Sequence, residues 1–326
     1  MPIRAPVFWA ALLGSSLAAA QGFDLERQRA FLSNLAEQGS VDTAEARRLL
    51  DQAEYRQDII DAISRPAEAK PWYSYRPIFL DERRIEAGAR FWQDHAELLA
   101  QLAEEFQVEA EILVAIVGVE TFYGRHTGRY RVLDALSTLA FSYPPRADFF
   151  ARELEQFFLL AAEEDLDPLT VSGSYAGAMG MPQFISSSYR HYAVDGDGDG
   201  QRDLLNNTAD ALASVANYFR RHGWRQGEPI AYRTGPARDG WAALAQGGLK
   251  PSAPYRELQA AGVTVEAELD PERPARLVSL EQEDGPEYWV TFNNFYVITR
   301  YNHSPLYAMA VHQLAQAIKA RYETQA

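Results

Sequence analysis

The 326-residue chain contains no cysteine. This absence excludes disulfide bonds, thiolate nucleophiles, cysteine-ligated zinc, iron–sulfur clusters and a lipid-modified N-terminal cysteine. Cationic residues are also few: 31 Lys and Arg stand against 45 Asp and Glu, which gives a net charge of −14. This imbalance argues against a broad electrostatic contact with nucleic acid or anionic lipid, so we expect no nucleic-acid partner.

Long hydrophobic runs are absent after the first twenty residues. Residues 1–20 combine a cation at Arg4, an apolar run at 7–17 and three alanines at 18–20, a pattern typical of a secretory signal peptide cleaved after Ala20. An uncleaved membrane anchor or a buried helix is the alternative, although the run is short for a membrane span. The sequence therefore predicts an exported protein.

Most of the remaining chain shows helical spacing of its apolar residues. This spacing occurs in residues 23–63 (with a break at Gly39 and Ser40), 81–106, 111–123, 147–164, 210–222 and 307–322, and a Pro- and aromatic-rich connector is expected at 66–77. Between residues 228 and 294 glycine and proline are frequent, and residues 276–280 and 288–292 show β-type alternation. We predict a mainly α fold of the α+β class with a small β insertion.

Glu120 stands in an unusual position for a carboxylate. In the predicted helix 111–123 it lies four residues after Ile116, so it projects from the apolar stripe. No cation occurs three or four positions away, and desolvation is therefore expected to raise the pKa of its carboxyl, as a general acid requires. The small residues Thr121 and Gly124 beside it predict room for a ligand. The alternative is a structural Glu that pairs with a distant Arg or caps a neighbouring helix.

An acidic, glycine-rich segment at 195–206 has the spacing of a calcium-binding loop. Gly200 stands where such a loop turns sharply, and the expected ligands are Asp195, Asp197, Asp199, Gln201 (through its carbonyl) and Asp203. The twelfth loop position is Asn206 instead of Glu, so the closing ligand is either Asn206 or Asp210. A solvated acidic turn is the alternative. We expect a structural ion, because four carboxylates around one calcium leave little Lewis acidity for chemistry.

Two further segments combine small, polar and aromatic residues. Residues 173–184 are rich in glycine but lack the lysine and the spacing of a phosphate-binding loop, so nucleotide binding is not expected. Their small residues allow another chain to approach closely, with Ser174, Tyr175 and Gln183 as hydrogen-bonding groups. The second segment, residues 294–307, concentrates tyrosine, asparagine and histidine. That mix fits either an aromatic core seam or a carbohydrate-binding surface.

Taken together, six segments closely resemble the lytic murein transglycosylase B family and occur in the same order. They are VETFYG (119–124), LDALSTLAFSYPPRADFF (133–150), GSYAGAMGMPQFISSSY (173–189), DGDGDGQRD (195–203), SVANYFRRHGW (214–224) and NFYVITRYNHSPLYAMAV (294–311). The resemblance covers residues 24–320. It implies a lysozyme-like core with an EF-hand-like calcium loop, together with a helical domain and a small β domain.

The resemblance also implies domain boundaries. After the signal peptide at 1–20, which its own pattern predicts, they are a helical domain at 22–96 with helix 307–322 packing on it, the lysozyme-like core at 97–227 with the calcium loop at 195–206, the β insertion at 228–290, and a return to the core at 291–326.

The activity that the resemblance implies is cleavage of the β-1,4 bond between N-acetylmuramic acid and N-acetylglucosamine in peptidoglycan. The muramoyl 6-hydroxyl closes on C1, which leaves a 1,6-anhydro end and consumes no water. The family's catalytic Glu corresponds to Glu120, acting first as acid and then as base. Its binding residues correspond to Ser174, Gln183, Tyr218, Tyr301, Asn302 and Tyr307. Structural calcium is the cofactor implied, and no organic cofactor is expected.

The implied setting is a Gram-negative periplasm. Peptidoglycan glycan strands are the expected partner, and wall-synthesis proteins are possible further partners. The protein is expected to be soluble because it has no cysteine for lipid attachment, and it is also expected to be a monomer. Two other functions stay open: a hydrolysing muramidase and a non-catalytic peptidoglycan-binding scaffold. A carboxyl in the apolar stripe argues against the scaffold, which does not need one.

Overall fold

The computed structural model describes residues 22–65 and 70–325, so the signal peptide predicted for residues 1–20 lies outside the described residues. About 55% of the chain is helix and 9% is strand, which confirms the predicted mainly α fold with a small β part. In the described part, no helix is both long enough and apolar enough to cross a membrane.

Fifteen helices are formed by the described residues. They are α1 (Leu25–Gln38), α2 (Thr43–Leu50), α3 (Gln57–Ile63), α4 (Trp72–Phe79), α5 (Glu82–Asp94), α6 (Ala96–Phe106), α7 (Ala110–Thr121), α8 (Val132–Ser142), α9 (Ala147–Glu163), α10 (Ser186–Tyr192), α11 (Thr208–Arg221), α12 (Trp241–Leu244), α13 (Tyr255–Ala260), α14 (Asn293–Tyr301) and α15 (Pro305–Gln325). The strands in the same ranges are β1 (Tyr130–Arg131), β2 (Ser172–Gly173), β3 (Ala231–Arg233), β4 (Ala253–Pro254), β5 (Pro274–Gln282) and β6 (Gly285–Thr291).

Aspartate side chains cap three of the N-terminal helices. Asp24, Asp42 and Asp81 precede α1, α2 and α5, and each accepts hydrogen bonds from backbone N–H groups of the first turn. These caps satisfy amide donors that have no partner inside the helix. Helix α1 ends at Gly39, whose φ of 64° is left-handed. The helical break predicted at residues 39–40 is therefore confirmed.

The connector predicted at 66–77 is wrong in its second half. Helix α4 covers residues 72–79 although Pro77 lies inside it. Trp72 and Tyr75 are buried, with their rings stacked at a centroid distance of 6.3 Å, and α4 packs against α15. Burial of two large aromatic side chains outweighs the backbone hydrogen bond that the proline removes.

Helix α7 lies in the main hydrophobic core. Every residue from Ile112 to Val119 is buried, so the helix is enclosed on all sides. Helices α5, α6, α11 and α15 pack around it. The helix predicted over 111–123 is confirmed, but it ends at Thr121 because the next residues adopt left-handed backbone conformations.

The antiparallel sheet formed by β3, β6, β5 and β4, in that order, follows the helical part. The two segments predicted as strands lie in β5 and β6, although residue 292 falls just after β6. The sheet has a hydrophobic cluster of its own, made of Trp241, Tyr255, Leu258, Val263, Ala275, Leu277, Tyr288, Val290 and Phe292. The domain boundaries stay predictions.

The last helix, α15, returns the chain to its beginning. It contains the predicted segment 307–322 and packs against α4, α5, α7 and α14. Tyr307 lies on its first turn, while Glu120 lies on the last turn of α7. The packing of α15 on α7 therefore decides how these two side chains face each other.

Candidate active site

Glu120 lines an open cleft of about 700 Å³, into which its side chain is partly exposed. The same cleft is lined by five of the six predicted binding residues, namely Ser174, Gln183, Tyr218, Tyr301 and Asn302. The sixth, Tyr307, contacts Glu120 from the first turn of α15. The fold therefore gathers four separate segments of the chain around one carboxyl.

The Tyr307 hydroxyl donates a hydrogen bond of 2.6 Å to Oε1 of Glu120. Tyr307 is only 2% exposed. Burial raises the pKa of Tyr307 well above its ordinary value, and the negative charge of Glu120 raises it further. The hydroxyl therefore stays protonated at neutral pH and acts as a fixed donor to one carboxyl oxygen. The raised pKa expected for Glu120 itself stays a prediction.

The backbone directly after Glu120 forms a tight turn. The Thr121 hydroxyl lies 3.0 Å from the carbonyl oxygen of Met181 and accepts a hydrogen bond of 3.0 Å from the backbone N–H of Gly124. Thr121 is buried, and Gly124 packs against the Met181 side chain. The expectation that Thr121 and Gly124 leave room for a ligand is therefore wrong: these residues connect the end of α7 to the glycine-rich segment.

Ser174 and Gln183 use part of their hydrogen-bonding capacity within the protein. The Ser174 hydroxyl oxygen accepts hydrogen bonds from the backbone N–H groups of Ala176 (3.2 Å) and Ala178 (3.0 Å). The Gln183 side-chain nitrogen donates to the carbonyl oxygens of Thr127 (3.0 Å) and Gly180 (2.9 Å). Both amide protons of Gln183 are thus used, so its side-chain oxygen is the atom suited to accept a ligand hydrogen bond.

Tyr218 and Tyr301 form one wall of the cleft. Their hydroxyls donate to the carbonyl oxygens of Arg300 (2.5 Å) and Pro182 (2.6 Å). Burial raises the pKa of both phenols, so both remain neutral donors. The ring of Tyr218 also stacks on His222 at a centroid distance of 4.0 Å. The hydroxyls therefore anchor the wall, and both residues line the cleft.

Sequence analysis did not single out several residues that line the cleft. They are Arg146, Phe149, Phe150, Phe184, Ile185, Ser188 and Arg300. The Arg146 guanidinium lies 4.4 Å from the ring centroid of Phe149, and Nη1 of Arg300 lies 3.0 Å from Nε2 of His303. Among the described residues that line the cleft, Glu120 is the sole carboxylate. Arg146 is distant in sequence from the other segments, so its spacing carried no signal.

Three carboxylates of the acidic segment lie together. Oxygen atoms of Asp195, Asp197 and Asp210 are within 4.8 Å of one another. Asp210 is buried on the first turn of α11, and burial raises the pKa of its carboxyl. Carboxylate oxygens are ligands that calcium prefers, so this donor set fits a hard divalent cation. Of the two candidate closing residues, the fold brings Asp210 to this cluster.

The other predicted ligands lie outside the three-carboxylate cluster. Oδ1 of Asp199 accepts a hydrogen bond of 2.8 Å from the backbone N–H of Gln201, and Oδ1 of Asp203 accepts one of 2.9 Å from Leu205. The Asn206 amide nitrogen donates to Asp203 at 3.1 Å. These side chains shape the turns of the loop.

Comparison with known proteins places these features in context. The family model described as the transglycosylase SLT domain matches residues 24–316. The chain is 40% identical over 298 residues to the membrane-bound lytic murein transglycosylase B of Escherichia coli K12. The match covers 88% of this chain and 81% of the relative.

Solved structures agree with the sequence comparison. The lytic transglycosylase SltB1 of Pseudomonas aeruginosa matches with a TM-score of 0.85 and 47% identity, over 90% of this chain and 97% of that one. The E. coli lytic transglycosylase Slt35 in complex with calcium matches with a TM-score of 0.83 and 39% identity, over 91% and 93%. The P. aeruginosa protein SltB3 in complex with NAG-anhNAM-pentapeptide matches with a TM-score of 0.79 and 31% identity, over 91% and 80%.

Proposed function

The chain belongs to the transglycosylase SLT domain family and is a lytic murein transglycosylase, and from this premise we propose that it cleaves the β-1,4 bond between N-acetylmuramic acid and N-acetylglucosamine with formation of 1,6-anhydro ends. Glu120 is the single acid and base of this reaction. Ser174, Gln183, Tyr218, Tyr301, Asn302 and Tyr307 bind the glycan or orient Glu120.

The observation that carries this proposal is the presence of one carboxylate, Glu120, among the described residues that line the cleft. A glycosidase that hydrolyses its substrate ordinarily has a pair of carboxyl groups, about 5–5.5 Å apart when it retains and about 6.5–9.5 Å apart when it inverts. A reaction in which the substrate supplies its own nucleophile needs one carboxyl. The cleft therefore suits an intramolecular reaction better than hydrolysis.

The proposed reaction has two proton transfers at the same carboxyl. Protonated Glu120 donates its proton to the glycosidic oxygen, and the bond between that oxygen and C1 breaks to release the 4-hydroxyl of N-acetylglucosamine. The Glu120 carboxylate then accepts the proton of the muramoyl 6-hydroxyl, while the oxygen of that hydroxyl forms a bond to C1. Glu120 ends in the protonated state in which it began, and no water is consumed.

Tyr307→Phe is expected to lower kcat about tenfold, because it removes a short charge-assisted hydrogen bond to Glu120 while keeping the ring. The ring of Tyr307 stacks on the ring of Tyr301 at a centroid distance of 6.4 Å, and the variant retains this contact. Steady-state kinetics on purified peptidoglycan would measure the change. A kcat within twofold of the unmodified protein would show that Tyr307 does not orient Glu120 during catalysis.

The product test is mass spectrometry of purified peptidoglycan after digestion. We expect fragments that end in 1,6-anhydromuramic acid, about 18 Da lighter than the hydrated fragments of a hydrolase. Hydrated reducing ends would instead identify a muramidase. Binding of peptidoglycan without any fragment would point to the scaffold function.

A structural calcium ion also belongs to the proposal. Asp195, Asp197 and Asp210 would hold it, and Asp199, Gln201 and Asp203 stay predicted ligands. The calcium complex of the E. coli relative and the three-carboxylate cluster support this assignment. The ion would join the loop to the start of α11 and take no part in the bond cleavage.

Export to the periplasm completes the proposed setting. The pattern of residues 1–20 supports it. The P. aeruginosa relative in complex with NAG-anhNAM-pentapeptide supports peptidoglycan strands as the partner. A monomeric state and contacts with wall-synthesis proteins stay predictions.

A further inference from the structure

The backbone that follows Glu120 is held in an unfavourable conformation. Phe122, Tyr123 and Gly124 have φ values of 52°, 61° and 82°. Within residues 22–65 and 70–325, no other run of three consecutive residues has positive φ. Residues with a β-carbon adopt this region reluctantly, and it persists where the surroundings enforce it. Something must therefore hold the turn that ends α7 directly after Glu120 and Thr121.

The Tyr123 side chain occupies a slot where three helices meet. Its ring lies between Gly118 of α7 and Gly88 of α5. A β-carbon at Gly118 would lie 2.8 Å from Cε1 of Tyr123, and one at Gly88 would collide with the Tyr123 hydroxyl and lie 2.7 Å from Cδ1 of Ile318 in α15. The slot thus exists because both glycines lack a side chain. Tyr123 contacts α5 and α7 at the point where α15 approaches them.

Hydrogen bonds connect the same turn to α5. The Tyr123 hydroxyl donates to the carbonyl oxygen of Arg84 at 2.8 Å, and Nη1 of Arg84 donates to the carbonyl oxygen of Gly118 at 2.6 Å. Gly118 lies two residues before Glu120, in the last turn of α7, and its carbonyl oxygen also accepts a hydrogen bond of 3.2 Å from the backbone N–H of Phe122. A cation at a helix C-terminus is also favoured by the helix dipole. Arg84 and Tyr123 therefore both connect the end of α7 to α5.

We propose that Tyr123 is a positioning residue for Glu120. Its side chain fixes the last turn of α7 relative to α5 and α15, and so keeps the Glu120 carboxyl at the Tyr307 hydroxyl on α15. Tyr123 is not among the residues that line the cleft, so it acts through Glu120 and does not touch the substrate. This inference rests on the proposed role of Glu120. Catalysis depends on such placement because a reacting group displaced by a fraction of an ångström loses much of its effect.

The first test is Tyr123→Phe, which removes the hydroxyl and its bond to Arg84 but keeps the ring. We expect kcat to fall about tenfold with KM within twofold, because the residues that line the cleft are unchanged, and the products should still carry 1,6-anhydro ends. Tyr255→Phe is the matched control. Tyr255 is also a buried tyrosine, and it belongs to the hydrophobic cluster of the sheet. The control should leave kcat unchanged at a similar melting temperature.

The second test separates positioning from a general loss of stability. If Tyr123 acts through the contact between Glu120 and Tyr307, the double variant with Tyr123→Phe and Tyr307→Phe should be no slower than Tyr307→Phe alone. In Tyr123→Phe the kcat–pH profile should also shift along the pH axis, on its acidic side or on its alkaline side. In the control Tyr255→Phe the profile should not shift. Should Tyr123→Phe fail to fold, Gly118→Ala carries the test, because the three atoms nearest the added methyl all belong to the Tyr123 side chain, so the change displaces that side chain and should lower kcat in the same way.

Full additivity of the two effects, or a Tyr123→Phe kcat within twofold of the unmodified protein, would overturn the inference. Failure of the proposed function would look different, because the unmodified protein itself would then produce no 1,6-anhydro ends.

Discussion

Glu120→Gln is expected to lower kcat on purified peptidoglycan by about 10³-fold, because the amide can neither donate the proton to the leaving oxygen nor accept one from the 6-hydroxyl. Gln is nearly isosteric with Glu, and its side-chain oxygen can still accept the hydrogen bond from Tyr307. The melting temperature should therefore stay close to that of the unmodified protein. Release of soluble fragments, followed by chromatography, measures the rate.

Glu105→Gln is the matched control for this experiment. It makes the same change of side chain and charge on α6, at an exposed position that does not line the cleft, and it should keep full activity. Glu120→Asp adds a geometric test, since it keeps a carboxyl but withdraws it from Tyr307, and we expect activity between those of the Gln variant and the unmodified protein. Retention of more than about a tenth of the activity by Glu120→Gln would remove Glu120 as the single acid and base.

Calcium is expected to raise the melting temperature by about 4 °C at a concentration 100 times its dissociation constant. Binding to the folded state alone contributes about 2.7 kcal/mol under that condition, and about 1.5 °C follows from each kcal/mol in a protein of this size. Asp197→Asn should lose most of this increase, because the amide provides a weaker ligand than the carboxylate. In chelator the variant and the unmodified protein should melt at similar temperatures, since the amide oxygen can still accept the hydrogen bond from Asn207.

Asp284→Asn, in the exposed turn between β5 and β6, controls for the change of charge and should keep the full calcium effect. Magnesium should raise the melting temperature less than calcium, because it demands octahedral geometry and gives up its water reluctantly. Equal melting temperatures of the unmodified protein in calcium and in chelator would contradict the metal assignment.

Because the backbone N–H of Met181 donates to the carbonyl oxygen of Leu204 at 3.2 Å, the calcium loop also supports the segment that carries Gln183.

The elements that sequence analysis predicted well depend on residues close together in the chain. The apolar repeat that defines α7, the break at Gly39 and the alternation in β5 and β6 all lie within a few residues of their effects. Helix and strand periodicity are local properties, so a single sequence carries them. The connector at 66–77 failed because burial of Trp72 and Tyr75 against distant helices overrides the local effect of Pro77.

The mainly α fold, the family and the identity of the carboxyl at the centre of the proposal can be read from the amino-acid sequence alone. The surroundings of that carboxyl depend on the tertiary structure. Tyr307 meets Glu120 across 187 residues, Arg146 reaches the cleft from the connection between α8 and α9, and Asp210 joins Asp195 and Asp197 from the start of α11. No periodicity encodes such contacts, because they arise from the packing of complete helices, and a shift of one turn in α15 would separate Tyr307 from Glu120.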